Sequence, residues 1–528
     1  MGTGGMKKTS AALWNDFCGF LKQNRYAVIA AFVFAYVCYG FMLTHYTLGI
    51  DEETWLMNAD PELIKNVWIQ QGRFGLYLFD SVVTPMGNYI PFFSDFMGVT
   101  LWTAAGVLLA YCITIFFKEP SRFSVFVFCA MFSSIPLAAG EILSFSMFSM
   151  QQGLAMLLAA FGVLCIYRYF QYKKPAALLL SVVFIFFATS FYQAFAGVFL
   201  TALVAYALVR VIRDQTYGYA KIAKEVLWGL CAVAAGVGAY ALINAYLTTY
   251  VAPGGQAYLS EGLIGWGKAD NALSALFLPV RNAGAVLLGV KTYGGAVIMV
   301  LTVLFLIFTV VCAARKAGAK NRIMFFLTCI LLLISPFFMA VLLAQPTVIG
   351  RTLLALPFAM GVEAFLIINM LPKTGALCAC VNLVFCALLL MNAAYMNLMF
   401  FHGYVAYEQD KATGVQIVER LNEAGHDENT PVIFIGKLEQ PYELIPQGAV
   451  TGSFFSWDGG NNARIRDFLY AEGYTVCAYT PEQFAKGVER SRDMPCWPQE
   501  GCIQRSGECI VVKLSEPDDA WYGLNIMV

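Results

Sequence analysis

The sequence predicts a polytopic α-helical membrane protein with about eleven transmembrane helices and a small C-terminal extracytoplasmic α/β domain. Three observations predict it. Of the 528 residues, 59% are hydrophobic and only 13% are charged, where a soluble chain carries about a quarter. The charge is also unevenly placed: it is nearly absent from long blocks before residue 400 and close to normal after it. Finally, the gaps between apolar blocks alternate between Lys/Arg-containing and Lys/Arg-poor, as the positive-inside rule requires.

Lys7, Lys8, Lys22 and Arg25 precede the first apolar run, Tyr26–Thr44. That run is longer than a signal-peptide core and lacks a small-residue cleavage site, so it is expected to stay as an anchor. Residues 1–25 then form a cytoplasmic N-terminus, and 26–399 a transmembrane region. A spanning helix needs about 20 apolar residues. The candidates are Tyr26–Thr44, Phe93–Phe117, Phe123–Ala139, Gly153–Phe170, Ala176–Thr189, Phe191–Arg210, Val226–Tyr250, Gly294–Ala314, Ile323–Leu343, Thr352–Leu371 and Gly375–Leu398. The fifth and sixth abut; two spans meeting at a polar turn are preferred to one bent helix that would leave Ser190, Tyr192 and Gln193 in lipid.

With a cytoplasmic N-terminus, the inner loops are Lys118–Arg122, Arg168–Lys174, Arg213–Lys224, Arg315–Arg322 and Pro372–Lys373, each with Lys or Arg. The outer segments include a first loop, 45–92, and a long loop, 252–291. The tail, 400–528, falls on the outside with them.

Within the first loop, Asp60 reads as an N-cap with Pro61 at the first helical position. Leu63, Ile64, Val67 and Trp68 form one apolar stripe, expected to lie on the outer membrane surface. In the tail, Gly414–Ala424, Ala463–Glu472 and Pro481–Arg490 read as helices. Val432–Gly436 and Tyr474–Tyr479 read as strands, and Cys502–Leu514 as a hairpin turning at Ser506-Gly507.

Zero net charge gives no basic surface for nucleic acid, and no phosphate-cradling Gly-rich loop is visible. Most of the 15 cysteines lie in apolar blocks, where Cys behaves as a small hydrophobe. Cys477, Cys496, Cys502 and Cys509 are in the outer tail, where disulfides form. Cys502 and Cys509 flank the hairpin turn and are one candidate pair; free thiols are the alternative.

The sharpest polar cluster is Gly49-Ile50-Asp51-Glu52-Glu53, just past the first span. Burial beside Ile50 and Trp55 would raise at least one carboxyl pKa, as a general base requires. A hydrated charge run is an equally open reading. Arg73, in Gln70-Gln71-Gly72-Arg73-Phe74-Gly75, and Arg351, opening a span on the outer side, place guanidinium groups at headgroup depth, suited to a phosphate. Snorkelling to lipid is the alternative for Arg73.

Glu141, Tyr192 and Gln193 add polar groups at the same depth, and Arg281, Lys268 and Lys291 lie in the long outer loop with Trp266. Glu363, deeper in its span, is expected to be a paired structural acid. The three histidines (His45, His402, His426) are too scattered for a zinc site. A carboxylate-held Mg²⁺ or Mn²⁺ at Asp51–Glu53 stays open as a cofactor, although one loop offers few ligands.

An acidic motif after the first span, a surface helix and a Gly-Arg-aromatic-Gly motif together resemble the type II Gtr family of bacterial membrane glucosyltransferases. The matching pieces are Gly49 to Glu53, Gln71 to Gly75, Leu143–Gly153 (LSFSMFSMQQG), Ser190–Phe195 (SFYQAF) and the basic turn ending at Arg351. The resemblance covers Met6 to about Met399. It implies a GT-C-type fold and inverting transfer of a hexose, glucose first among candidates, from a polyprenyl-phosphate donor on the outer face. The acceptor it implies is a cell-surface glycan such as O-antigen. It further implies that a first-loop acid deprotonates the acceptor: Asp51 first, then Glu52, then Glu53. Arg73 and Arg351 would hold the donor phosphate, with Arg281 a further candidate.

Two other classes compete. A polysaccharide polymerase would place its chemistry in 252–291. A transporter would show repeats and midplane polar groups, of which Glu363 is the main example.

Overall fold

The computed structural model describes residues 10–57, 60–83, 89–117, 119–213, 218–253, 266, 272–290, 292–316, 318–345, 349–370, 374–439 and 451–525. Met6, Lys7, Lys8, Lys118, Lys268, Lys291, Leu371, Pro372 and Lys373, all named above, lie outside these residues, as do 254–265 and 267–271 of the 252–291 loop.

Among the described residues, seven helices are long and apolar enough to cross a membrane: Pro91–Thr114, Ser149–Tyr172, Gln193–Arg213, Tyr219–Tyr250, Gly295–Arg315, Ala319–Leu342 and Ala376–Glu423. An eighth candidate is the pair Arg122–Ser133 and Pro136–Leu143, bent by 43° where Pro136 interrupts the ladder. Arg25–Cys38, Pro175–Phe191 and Leu356–Met370 are shorter apolar helices. All eleven expected segments therefore fall on helix, while seven meet the length and composition of a full span. The chain is a multi-pass membrane protein.

Close approach holds the centre together. A Cβ on Gly153 would stand 2.6 Å from the Gly98 carbonyl oxygen, so Ser149–Tyr172 crosses Pro91–Thr114 at backbone contact. The first apolar run breaks at Tyr39 into Arg25–Cys38 and Gly40–Thr44. Asn397 spans the break, accepting from Phe41 N–H (3.3 Å) and donating to the Val37 carbonyl (3.0 Å). The fifth and sixth segments separate at Tyr192, whose backbone is extended. Glu363 is buried but makes no ion pair or hydrogen bond among the described residues, so the expected pairing is not seen.

Several expectations about the first loop and the tail change. The Pro61–Gln70 helix is capped by Asp60, which accepts from Glu62 N–H at 3.0 Å. Its apolar stripe turns toward the protein: Ile64 and Trp68 are buried, and Trp68 lies against Trp55 and Phe148. The membrane helix Ala376 begins does not end near residue 398 but runs unbroken to Glu423, 48 residues in all. No Pro lies between, and Tyr407, Asp410, Gly414, Ile417 and Leu421 continue one buried stripe at helical spacing.

The tail forms a three-stranded sheet in the order β1-β3-β2, with β1 Val432–Ile435, β2 Ile503–Ser506 and β3 Cys509–Lys513. β1 and β3 run parallel; β2 and β3 form the expected hairpin. Tyr474–Tyr479 is not a strand: it touches the sheet through one bridge, Pro431 to Cys477, since Pro431 has no N–H with which to extend a ladder. The Cys502–Cys509 bridge does not form either. Cys509 pairs with Ser506 while the Cys502 carbonyl accepts from Lys513 N–H, which sets the two cysteines at opposite ends of the hairpin. All four tail cysteines are free.

Candidate functional site

The acidic loop folds by local chemistry. Asp51 takes a left-handed backbone, φ 75°, which Asp tolerates better than most residues, and Glu52–Met57 is then helical. Glu52 turns inward and is fully buried. Gly49 N–H (2.8 Å) and the Tyr89 hydroxyl (2.8 Å) donate to its Oε2, and Met147 N–H (3.0 Å) to its Oε1. Burial pushes its pKa up to about 7, against these donors, which lower it. Glu52 thus bolts the 49–52 turn to the 146–147 turn.

Glu53 is also fully buried and forms an ion pair with Arg464 of the tail. Burial raises its pKa to about 8, with Arg464 opposing the rise. Asp51 is half-exposed, and its Oδ1 is 3.2 Å from Arg464 Nη2.

Arg73 owes its position to the motif around it. Gly72 has φ 70°, and the Gln193 amide donates to the Gln71 (2.9 Å) and Gly72 (3.1 Å) carbonyls while the Tyr240 hydroxyl donates to Gly72 (2.9 Å). A Cβ on Gly75 would stand 2.8 Å from the Ser190 backbone carbonyl carbon. The Gln71–Gly75 and Ser190–Phe195 motifs are therefore two sides of one joint. The Arg73 guanidinium lies over the Tyr192 ring at 4.9 Å. Arg351 lies over the Phe145 ring at 5.2 Å, and its backbone N–H is directed at the buried Glu141 carboxylate, which fills the space beside Gly350. Neither guanidinium makes an ion pair or a side-chain hydrogen bond among the described residues.

Asp51, Arg73 and Arg351 line one cavity of about 620 Å³, with Tyr192, Gln152, Trp55, Trp68, Phe145, Phe148, Asp458 and Arg464. Four of its lining residues carry buried polar atoms without a partner: Trp68 Nε1, Arg73 Nε, Gln71 Oε1 and Gln152 Oε1. Buried polar groups are nearly always paired. Two donors and two acceptors left open in one apolar-walled space suit a polyhydroxyl, anionic ligand.

Glu52, Glu53, Glu141 and Gln193 do not line this cavity; they hold the turns that do. Arg281 is exposed on the Ala272–Leu287 helix and Trp266 donates to the Leu342 carbonyl at 2.7 Å, both away from it. Among the described residues, no three metal-ligand side chains cluster as a metal site would require, and Asp51 and Glu53 are gathered on the Arg464 guanidinium. A second cavity of about 310 Å³ lies behind the same wall: Gly49, Ser144 and Ser146 face it, with His45, Asp95 and Tyr407.

Sequence reasoning named Trp55 and Trp68 only as apolar neighbours, and missed Gln152, Asp458 and Arg464. Gln152 lies in the quoted LSFSMFSMQQG stretch, so a signal for it existed. Arg464 and Asp458 carried none.

Comparison with known proteins adds one finding. A family model described as Glucosyl transferase GtrII matches residues 40–368. No curated protein matches the chain.

Proposed function

The chain belongs to the GtrII glucosyl transferase family, and on that premise we propose that it moves glucose from a polyprenyl-phosphate donor to a surface glycan on the extracytoplasmic face, with inversion. The observation that carries this reading is the sharing of one cavity by Asp51, Arg73 and Arg351.

A polyprenyl donor cannot leave the bilayer, so its phosphate stays at headgroup depth and the sugar must be met there. In the proposed step, Asp51 accepts the proton of an acceptor hydroxyl, whose oxygen attacks C1 of the sugar opposite the phosphate. The new C1–O bond forms as the C1–O–phosphate bond breaks, and polyprenyl phosphate leaves with the electron pair. Arg73 and Arg351, whose guanidinium groups make no ion pair among the described residues, neutralise the charge gathering on that phosphate. Trp55, Trp68 and Phe148 offer ring faces to the sugar, and Gln71 and Gln152 offer acceptors to its hydroxyls. Asp51 is preferred to Glu52 and Glu53 as the base because it alone of the three faces the cavity.

The test is transfer from polyprenyl-phosphate glucose by purified protein in detergent. Asp51→Asn is expected to bind the donor and to lose transfer; a fully active Asp51→Asn enzyme would refute Asp51 as the base.

A further inference from the structure

The tail reaches the acidic loop at two levels. Leu48 is buried within the tail's core beside Tyr407, Ile417, Phe454 and Phe468, and Leu56 packs on the same cluster. The Thr54 hydroxyl donates to Asp467 at 3.5 Å. The loop that holds the proposed base is therefore folded into the tail rather than resting on the membrane helices alone.

Above that apolar seat stands Arg464. It lies in the first turn of the Asn462–Ala471 helix, whose N-cap Asn461 accepts from the Ala463 and Arg464 N–H groups. Its guanidinium pairs with Glu53 through Nη1 and with Asp458 through Nε (2.9 Å) and Nη2 (2.6 Å). Those two carboxylates tether it on opposite edges, as planar Arg favours. The remaining contact, Nη2 to Asp51 at 3.2 Å, is the longest of the set. Asp51 and Asp458 both take left-handed backbones, φ 75° and 49°, which Asp tolerates better than most residues. Arg464 also lines the cavity that Arg73 and Arg351 line.

We propose that Arg464 is a positioning residue for the Asp51 base, so that the tail completes the catalytic site from outside the segment matched by the family, 40–368. Glu53 and Asp458 hold the guanidinium still, and the guanidinium holds Asp51 by its one weaker contact. That contact yields when an acceptor hydroxyl takes its place. This inference rests on the reading of Asp51 as the base.

The test uses full-length protein and polyprenyl-phosphate glucose. Misplacing a reacting group by about 1 Å costs on the order of 100-fold in rate, so Arg464→Gln is expected to lower kcat by about that factor, with the donor KM unchanged. Arg464→Lys should recover part of the rate. Guanidinium ion added to folded Arg464→Gly should also restore transfer, which a merely structural role would not allow. If Arg464→Gln does not fold, Asp458→Asn carries the same expectation, because the Asp458 side chain is half-exposed and, among the described residues, is held by Arg464. A normal kcat in whichever of these variants folds, with Asp51→Asn inactive, overturns the role of Arg464 and leaves the base intact. An active Asp51→Asn overturns the base itself.

Discussion

The Gln193 side-chain amide donates to the Gly72 carbonyl at 3.1 Å, joining residues 121 positions apart. Through it the SFYQAF turn holds the residue before Arg73 in a left-handed conformation. Gly72→Ala should therefore fail twice. The left-handed backbone costs about 1–2 kcal/mol without glycine, and the new Cβ would stand 2.6 Å from Gln193 Nε2 and the Tyr240 hydroxyl. Donor binding and thermal stability should fall together; normal donor binding would detach Arg73 from the phosphate.

Arg73→Lys keeps the charge but loses the flat fork that lies over Tyr192. A charged hydrogen bond is worth about 1.5–3 kcal/mol, so donor affinity should drop by roughly 10-fold or more. Titration with donor lipid reads this directly. An unchanged affinity would mean that a point charge suffices.

Glu53 gives the pH dependence. Its folded-state pKa stands near 8, above the ordinary carboxyl range, because burial disfavours the charge. The folded chain thus holds this proton more tightly than the unfolded chain, and the stability it contributes is complete below the unfolded pKa. That contribution fades as pH rises through about 8. Melting curves of the native chain between about pH 6 and pH 9 should show the decline, and Glu53→Gln should show less of it. Parallel curves for the two proteins would count against it.

Gly153→Ala tests the helix crossing. Its Cβ meets a backbone oxygen on the Pro91–Thr114 helix, not a side chain that can swing aside. Overpacking of this kind costs about 1–3 kcal/mol, visible as a lower melting temperature. Wild-type melting would mean that the two helices separate easily.

Helices were legible because lipid demands long apolar runs, which no tertiary contact disguises. Asp51, Arg73 and Arg351, which line one cavity, stood out in the sequence as charges next to apolar runs, where a charge invites a reason. Arg464 was not legible. On the Asn462–Ala471 helix it reads as one more surface cation, and its partners in the acidic loop, Glu53 and Asp51, are 411 and 413 residues away. Trp68 was read correctly as apolar stripe but assigned to lipid, because the sequence does not announce Trp55 and Phe148 as its neighbours. The helix continuing past residue 398 was hidden by the change from apolar to mixed composition, which ends a membrane pattern without ending a helix.

At 1.5 Å per residue the 48-residue helix Ala376–Glu423 is about 72 Å long, more than twice the roughly 30 Å hydrocarbon thickness. Its far half acts as a rigid mast whose rotational phase is transmitted from the bilayer to the sheet. One inserted residue would turn everything beyond it by about 100° and swing Arg464 off the acidic loop, whereas inserting a full heptad would nearly restore the bearing while raising the tail. Reach and azimuth, which a flexible tether would average away, are set by counting residues along a single helix.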